Sequence, residues 1–435
     1  MAHTVLMVAF HFPPAAMGSG HLRTLGFAKY LPESGWEPVV LSARALAYPR
    51  TLPMAADTIP PGCVVKRALA FDAGRHFAIA GKYPGFIARP DRWASWWPAA
   101  VWQGLRLIRR RRVSAIWSTY PIMTAHHIAH TLARISGLPW IADFRDPVSG
   151  SIGGGNPYAA ASQRRWEQRV VRDAARVVFT TPSALRDCVV NYPIVDAQGR
   201  LSVIGNGYDE AAFADLPQPL PRTAGRPLLL VHSGLLYRDG RDPLPFFNAL
   251  ATLRDAGTIS AASVRIVLRA SGSESIFAQV LQQLRLADIV TLAPPVGNRD
   301  ALVEQACADG LLLFQGARFN RQIPAKLYEY LRIGRPIFAL VDARGDTAAA
   351  LRGAGVPDGV AIDSADAIAL RLSRFIDALR CGNAQVATQN VVARYARSAG
   401  AAQLAGLLDQ LAVTRPITAA SALPPTENAC RSSQG

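Results

Sequence analysis

One lysine and one glutamate stand three positions apart in the stretch RFNRQIPAKLYEYLRIGRPIFAL, residues 318–340. The pattern predicts a short amphipathic helix, so Lys326 and Glu329 share one face of its first turn. A lysine near a helix N-terminus offers a positive charge to phosphate, and a carboxylate can accept hydrogen bonds from both hydroxyls of a ribose. The pair therefore suits a nucleoside diphosphate. The simpler alternative is an ion pair within the helix, worth about 0.2–0.5 kcal/mol.

Two arginines follow a predicted strand in LVHSGLLYRDGRDPLPFFNAL, residues 230–250. Gly234 lets the chain leave the strand tightly, and Arg238 and Arg241 then lie in the loop before a helix. Arginine side chains in such a loop can neutralise a departing diphosphate and so lower the barrier to its release. Ordinary surface arginines are the alternative.

Charged residues also mark the end of a strand in PWIADFRDPVSGSIGGG, residues 139–155. Asp143, Arg145 and Asp146 stand before a glycine-rich loop, where buried charges need partners. An internal Asp–Arg ion pair that closes the strand is one alternative. A carboxylate pair for acid–base hydrolysis is another, although one strand end is poorly suited to place two carboxylates on opposite sides of a sugar.

Glycines and an asparagine complete the candidate loops. In FHFPPAAMGSGHLR, residues 10–23, Gly18 and Gly20 come between a strand and a helix. Close backbone approach and free N–H groups favour an anion there, although the motif is not a full dinucleotide fingerprint or a P-loop. In SVIGNGYDEAAF, residues 202–213, Asn206 follows a strand, and turn formation alone would also explain the Asn-Gly pair.

Strands and helices alternate along the chain, which predicts an α/β fold with mostly parallel sheets. The 435 residues are too many for one ordinary core, and a proline-rich linker separates two such patterns. We therefore predict a Rossmann-like domain over 1–214, a second over 215–397, an amphipathic helix over 398–413 and a disordered tail over 414–435. Ligands of open parallel sheets bind at the C-terminal ends of the strands, so the site is expected in the cleft between the domains.

Composition narrows the possible partners and compartment. The net charge is +16, and residues 1–208 hold 24 of the 47 Lys and Arg but only 11 of the 31 Asp and Glu. A basic N-terminal half suggests an anionic partner, although the dominance of arginine also fits a genome bias. Five scattered cysteines suit a reducing compartment and give no metal signature. No apolar run approaches the ~18 residues of a membrane-spanning helix, and the N-terminus has the pattern of a first strand rather than a signal peptide.

Tryptophans and arginines are concentrated in WASWWPAAVWQGLRLIRRRRV, residues 93–113. This combination suits docking to an anionic membrane surface. The alternative is a core helix that ends in a solvated basic face, and nucleic acid fits less well because no binding module is recognisable. The predicted membrane residues are Trp96, Trp97, Arg109, Arg110, Arg111 and Arg112.

The motifs together resemble the GT-B glycosyltransferases, in particular the retaining family four and its bacterial members of cell-surface polysaccharide pathways. The resemblance covers residues 1 to about 412 and implies two Rossmann-like domains with an inter-domain cleft. It also implies a nucleotide-diphosphate sugar donor held mainly by the second domain, an acceptor held by the first, a last helix that crosses back, and no metal or other cofactor. The stretches that carry it are FPPAAMGSGHLRTLGFAKYLPESGWEPVVLS, GLPWIADFRDP, VIGNGYD and IPAKLYEYLRIGRPIFAL.

By position, the resemblance implies that Glu329 binds the donor ribose and that Lys326 and Arg241 bind the diphosphate. Arg145 stands where many relatives have a sugar-contacting histidine, and residues 319–323 would lie against the donor sugar. The catalytic set is Arg241, Lys326, Arg145 and Asp146. The donor-binding set is Gly18, Gly20, Gly234, Arg238, Arg241, Lys326, Glu329 and Asn206. The acceptor or sugar side is Asp143, Arg145 and Arg321.

Two positions depart from the family pattern. Arg321 replaces the first glutamate of the E-x(7)-E pair that the family often has, which leaves the identity of the donor sugar open. Gly234-Leu235 replaces the usual Gly-Arg after the first strand of the second domain, and Arg238 is the candidate to replace that arginine.

We therefore expect a metal-independent hexosyltransferase that moves a sugar from a nucleotide-diphosphate sugar to a lipid-linked or polysaccharide acceptor, with retention. It is expected in the cytoplasm, at the inner face of the cytoplasmic membrane, without a nucleic-acid partner. Two alternatives stay open. A nucleotide-sugar epimerase or hydrolase would need paired carboxylates, for which only Asp143 and Asp146 are candidates. A non-catalytic nucleotide-sugar-binding scaffold is suggested by the missing glutamate at Arg321.

Overall fold

The computed structural model describes residues 3–15, 18–52, 58–145, 157–193, 198–217 and 225–413. Asp146, the glycine-rich loop that follows it and the tail 414–435 lie outside these residues. The predictions made for them are therefore not addressed by the structure.

Among the described residues, seven parallel strands form the first sheet. They are β1 (His3–Val8), β2 (Trp36–Ala43), β3 (Val64–Ala68), β4 (Val113–Thr119), β5 (Trp140–Phe144), β6 (Arg176–Phe179) and β7 (Leu201–Val203). Their order across the sheet is β3-β2-β1-β4-β5-β6-β7, which contains the Rossmann order. Strand β1 is apolar and fully buried from Val5 to Val8 because helices cover both faces of a parallel sheet.

Helices follow most strands of this sheet and pack on its two faces. They are α1 (Leu22–Tyr30), α2 (Ala73–His76), α3 (Trp96–Arg111), α4 (Met123–Ser136), α5 (Pro157–Asp173) and α6 (Pro182–Asn191). Local signals set their ends. Helix α6, for example, starts with Pro182 in its first turn, and the Thr181 hydroxyl caps it by accepting the backbone N–H of Ala184.

A second sheet of five parallel strands begins after the linker. The strands are β8 (Leu228–Ser233), β9 (Val264–Arg269), β10 (Val290–Ala293), β11 (Gly310–Gln315) and β12 (Ile337–Val341), in the order β10-β9-β8-β11-β12. The helices around it are α7 (Leu244–Asp255), α8 (Glu274–Gln283), α9 (Asn298–Cys307), α10 (Ala325–Ile333), α11 (Asp346–Gly353), α12 (Ala365–Cys381) and α13 (Gln389–Val392). The predicted α/β class with two Rossmann-like sheets is confirmed.

The last described helix, α14 (Arg397–Val413), returns to the first sheet. Its buried residues Leu404 and Leu408 belong to the same apolar cluster as Val5 of β1 and Trp117 of β4. The indole N–H of Trp36 also donates to the Asp409 carboxylate, at 2.8 Å. The end of the chain therefore packs on the domain in which the chain begins.

Helix α3 corrects part of the predicted membrane surface. Trp96 is fully buried and its ring packs at 5.5 Å from that of Phe10, so it is not available to a membrane, and its predicted role is wrong. Trp97 is partly buried, stacks on His127 at 5.1 Å and donates to the Thr131 hydroxyl. Trp97 thus fastens α3 to α4, and Trp96 packs α3 against Phe10, which lies just after β1. No helix within the described ranges is both long and apolar enough to cross a membrane.

Truncating Leu404 to alanine tests whether α14 is part of the first domain. Leu404 is 0% exposed, so Leu404→Ala should lower the free energy of unfolding by about 2–5 kcal/mol through lost burial and a cavity. Leu370→Ala is the matched control, because Leu370 on α12 is 56% exposed and its truncation should cost less than about 1 kcal/mol. Equal values for the two variants in denaturant unfolding would contradict the packing of α14.

Candidate active site

A cavity of about 780 Å³ lies between the carboxyl ends of the two sheets. Loops that follow β1, β5, β6 and β7 line it from the first domain, and the loop after β8, the end of β11 and the start of α10 line it from the second. The residues that join α13 to α14 close a further side. This is the location that the strand-end rule predicts for two tandem parallel sheets.

A buried ion pair between Arg23 of α1 and Asp143 of β5 holds the wall on the side of the first domain. The Arg23 guanidinium donates to both oxygens of Asp143, at 2.8 and 2.9 Å. It also donates to the carbonyls of Ile204 and Gly205, each at 2.9 Å, and so fixes the turn that carries Asn206. Asp143 is 0% exposed and both its oxygens are occupied. The structure therefore contradicts the predicted acceptor-side role of Asp143. The alternative, an internal Asp–Arg ion pair, is present, and its arginine is Arg23.

Arg145 lines the cavity directly after β5. Its Nε donates to the carbonyl of Tyr120 at 2.7 Å, and its Nη1 donates to the carbonyl of Gly20. These bonds fasten the single turn of 3₁₀ helix at Gly18–His21 against the strand ends. A Cβ atom at position 20 would come within 3.3 Å of His11 Nδ1 and 3.4 Å of Arg145 Nη2. The close approach of the turn therefore depends on Gly20.

Arg241 contributes the corresponding positive charge from the second domain. It lines the cavity, and its Nε and Nη2 donate to Oε1 of Gln315, at 3.2 and 3.0 Å. Its guanidinium also lies 5.3 Å from the ring of Phe319, so its position is set before any ligand binds. Arg238, three residues earlier, is exposed and is not part of the lining, so the structure does not bring it into the site.

Lys326 and Glu329 lie on α10, whose Ala325 and Tyr328 line the cavity. Among the described residues neither charged side chain has a hydrogen-bonding partner, and their mutual effect is electrostatic. Burial, reinforced by the charge of Arg241, lowers the pKa of Lys326 to about 7, while Glu329 acts in the opposite direction. Burial raises the pKa of Glu329, opposed by the charges of Arg397 and Lys326. The pair does not form the direct ion pair that was its simpler interpretation.

Gly234 allows the lysine to take this position. Its φ of +131° is one that other residues rarely adopt, and a Cβ at position 234 would overlap the Nζ of Lys326. Lys326, Glu329 and Gly234 are not themselves among the lining residues of the cavity. Lys326 feels the charge of the lining residue Arg241, and Glu329 feels that of the lining residue Arg397, so both lie beside the cavity.

Arg321 makes contacts other than the predicted sugar contact. Its guanidinium pairs with Asp187 of α6 at 3.0 Å, and its carbonyl accepts a hydrogen bond from the Thr181 hydroxyl. It is more than half exposed and lies outside the cavity lining. In this structure Arg321 joins the two domains at the edge of the cleft, and its assignment to the sugar side stays a sequence-based prediction.

The lining residues that sequence reasoning did not single out include His11, Arg394 and Arg397. Arg397, the first residue of α14, donates to the carbonyl of Gly207 at 3.1 Å. Among the described residues, the lining contains five arginines, at positions 23, 145, 241, 394 and 397. It contains one carboxylate, that of Asp346. Asp346 accepts from the backbone N–H and the hydroxyl of Ser183. With Arg23 neutralised by Asp143, the excess of positive charge favours an anionic ligand.

The described residues hold no group of three or more His, Cys, Asp and Glu side chains arranged for a metal ion.

The low pKa of Lys326 can be measured because the sequence has four lysines. Carbon-13 dimethylation should give one lysine resonance that titrates near pH 7, and it is identified by its absence from Lys326→Arg, whereas the resonance of the N-terminal amine remains. The folded pKa of about 7 lies below the ordinary 10.5, so the unfolded chain binds the extra proton between these values. This group therefore makes the folded state more stable as pH rises from 7 to about 10. A Lys326 resonance that moves only above pH 9 would contradict the burial.

Part of the sequence matches a known protein family, and several solved structures share the two-domain fold described above. Residues 19–207 match the model of the glycosyl transferase 4-like domain. No curated protein sequence matches this chain. Among solved structures, sucrose-phosphate synthase (tll1590) from Thermosynechococcus elongatus superposes with a TM-score of 0.63 at 14% identity, over 95% of this chain and 100% of that one.

Two further structures have the same two-domain fold. Anabaena Alr3699/HepE in complex with UDP and glucose has a TM-score of 0.62 at 13% identity, over 94% of this chain and 100% of that chain. The lipopolysaccharide outer core galactosyltransferase WaaB in its apo form has a TM-score of 0.58 at 11% identity, over 94% and 99%. Identities this low establish the fold alone. The chain therefore has the predicted GT-B fold, and residues 19–207 match a glycosyl transferase 4-like domain.

Proposed function

We propose that the protein transfers a hexosyl group from a nucleotide-diphosphate sugar to a hydroxyl of a lipid-linked or polysaccharide acceptor, with retention and without a metal ion. The observation that carries the proposal is the arginine-lined cleft beside an unpartnered lysine and glutamate. A nucleoside diphosphate supplies both complements, negative phosphates for the cations and a ribose diol for the carboxylate.

Arg241 and Lys326 would stabilise the departing diphosphate. Gln315 and Phe319 hold Arg241 in place, and a preorganised cation stabilises developing charge without reorganisation during the reaction. Lys326 is balanced between its charged and neutral forms near pH 7. A bound anion favours the ammonium form, so binding of the diphosphate would be coupled to proton uptake by Lys326.

Glu329 would receive the ribose. Its carboxylate is partly buried and near the cations Arg397 and Lys326, which oppose its protonation. Two ribose hydroxyls would replace the hydrogen bonds that burial takes from the carboxylate. Arg397 begins the crossing helix, so this part of the donor site would depend on the packing of that helix.

The acceptor proton needs a base. Within the described cavity lining, Asp346 is the one carboxylate, and Ser183 occupies both its oxygens. We propose that the leaving phosphate takes the proton of the attacking hydroxyl, which is compatible with attack from the face that the diphosphate leaves and thus with retention. Asp146 lies outside the described residues, so its predicted catalytic role stays a sequence-based prediction.

The alternatives are less well supported. A hydrolase or epimerase acting through Asp143 and Asp146 would need Asp143 in the cavity, whereas that residue is sealed against Arg23. A scaffold was suggested by the missing glutamate at position 321, but Arg321 has a separate role at the domain contact. A transferase alone should require a second substrate for turnover.

Turnover separates these functions. UDP is the first nucleotide to test, since the Anabaena HepE structure holds it, followed by GDP, ADP and dTDP, each as the free diphosphate and as sugar conjugates. A transferase should release nucleotide rapidly only with a polyprenyl-diphosphate-linked saccharide or a free oligosaccharide present. Equal release without acceptor would favour the hydrolase, and binding without release under either condition would favour the scaffold.

Arg241→Ala and Arg238→Ala form a matched pair for the diphosphate site. Arg241→Ala should weaken nucleoside diphosphate binding by about 10- to 100-fold, since a charge-assisted hydrogen bond is lost. Arg238→Ala removes the same charge from an exposed residue outside the cavity and should change affinity less than about threefold. Isothermal titration calorimetry measures both, and equal losses would contradict the assigned site.

For a lipid-linked acceptor we also propose that α3 docks to an anionic membrane, with Trp102 in place of the buried Trp96. Trp102 is 58% exposed and the guanidinium of Arg106 lies 4.5 Å from its ring. Arg109 and Arg110 follow at helical spacing on the same face and are exposed. Arg111 and Arg112 are also exposed at the helix end. An exposed tryptophan beside a row of arginines suits a lipid interface with negative headgroups.

Vesicle binding tests this surface. Full-length protein should co-sediment with vesicles containing phosphatidylglycerol, and Arg109→Glu/Arg110→Glu should reduce binding by about tenfold or more, since each arginine contributes about 1 kcal/mol. Arg371→Glu/Arg374→Glu changes the charge equally at exposed positions of the second domain and serves as the control. Equal loss in both variants would indicate non-specific attraction, and no loss in the first would remove the docking surface.

A further inference from the structure

His11 is a residue of the cavity wall to which the proposed reaction gives no role. It follows β1 by three residues, lines the cavity and is 9% exposed. Neither its Nδ1 nor its Nε2 has a hydrogen-bonding partner among the described residues. Buried polar atoms in native proteins are usually paired, and a functional role is one explanation for an exception.

The other buried histidines of the described chain behave differently. His126 pairs its Nδ1 with the Ser118 hydroxyl at 2.7 Å, and His130 pairs its Nε2 with Asp173 at 2.9 Å. His232 uses both nitrogens, with the carbonyls of Leu312 and Gly234. A partner within the fold is thus available to the histidines that stand away from the cavity wall. His11 is the one of these four whose two nitrogens are both unpaired.

The surroundings of His11 determine which ligand group would fit. Burial, together with the charges of Arg145 and His21, lowers the pKa of His11 to about 3, so the imidazole is neutral at physiological pH. A neutral imidazole has one N–H donor and one acceptor nitrogen, which complement a hydroxyl, itself both donor and acceptor. Phosphate would instead favour the fixed cations, such as Arg145.

We propose that His11 binds a hydroxyl group of the sugar or of the acceptor in the cleft and so positions that substrate for transfer. The proposal rests on the proposed function and names a hydroxyl-binding residue that the resemblance did not assign. Both nitrogens are buried in this conformation, so binding requires a small movement of the ring or of its surroundings. Gly20, whose Cβ would lie 3.3 Å from Nδ1, leaves the space for it.

The test replaces the imidazole ring of His11 by a ring that has no nitrogen atoms. His11→Phe removes two unpaired buried nitrogens and should leave the melting temperature unchanged or higher, while kcat/KM falls by about 10- to 100-fold, equivalent to one or two strong hydrogen bonds. His126→Phe is the matched control. It breaks the bond to Ser118 in the core and should lower the melting temperature without a selective effect on one substrate. His11→Gln keeps a neutral donor and acceptor and should restore part of the activity.

Separate titrations assign the hydroxyl to its source. A raised KM for the nucleotide sugar with unchanged affinity for UDP would place it on the donor sugar, and a raised KM for the oligosaccharide alone would place it on the acceptor. If His11→Phe lowers stability as His126→Phe does, or turns over like the native protein, the inference is overturned. The rate of the native protein could also depend on pH with a midpoint near 7. If His11→Gln lost that dependence, the inference would be overturned, since His11 would then exchange a proton. Absence of nucleoside diphosphate binding in the native protein would instead remove the proposed function, and this inference with it.

Discussion

The geometry of the cleft depends on the Arg23 guanidinium, which is buried where a helix, a strand end and a turn of the first domain meet. Its hydrogen bonds reach Asp143, 120 positions away along the chain, and Ile204, 181 positions away. Removal of one partner of such a pair leaves an uncompensated buried charge and typically costs about 3–5 kcal/mol. The same contact withdraws Asp143 from chemistry and places Asn206 on the cavity wall. A structural ion pair thus shapes a site in which it takes no direct part.

Positive charge reaches the cleft from three separate parts of the chain. Arg145 comes from the end of β5, Arg241 from the loop after β8, and Arg397 from the first residue of the crossing helix. Burial, together with the positive charge of Arg241, lowers the pKa of Lys326. Burial also lowers the pKa of Arg397, against the opposing charges of Asp209 and Glu329. The fold maintains this arrangement through burial and hydrogen bonds to carbonyl oxygens. An anion that bound here would relieve the repulsion and stabilise the packed arrangement of both domains.

The two domains also meet directly at the edge of the cleft. Ser183 at the start of α6 donates to Asp346 at the start of α11, and Arg321 pairs with Asp187 nearby. The Arg321 pair is exposed and contributes little free energy, whereas Asp346 is 4% exposed and its hydrogen bonds are worth more. Relative movement of the domains would first have to break these contacts. The bonds of Ser183 to Asp346 and of Arg321 to Asp187 are polar, so water can take their place when they break.

The sequence alone was sufficient to predict the α/β class, the second domain after the linker and the strand ends as the place of the site. These predictions were possible because helix and strand periodicities are local. Arg145, Asn206 and Arg241 were predicted from loops that follow strands, and all three line the cavity. The tertiary structure decided which charges are available. Asp143 pairs with Arg23, and Arg321 lies at the domain contact. On one helix, Trp96 is buried and Trp102 is exposed. The tertiary structure also brought His11 and Arg397 to one cavity. Pairing and burial depend on which distant elements pack together, and that information is absent from the spacing of residues along a single strand or helix.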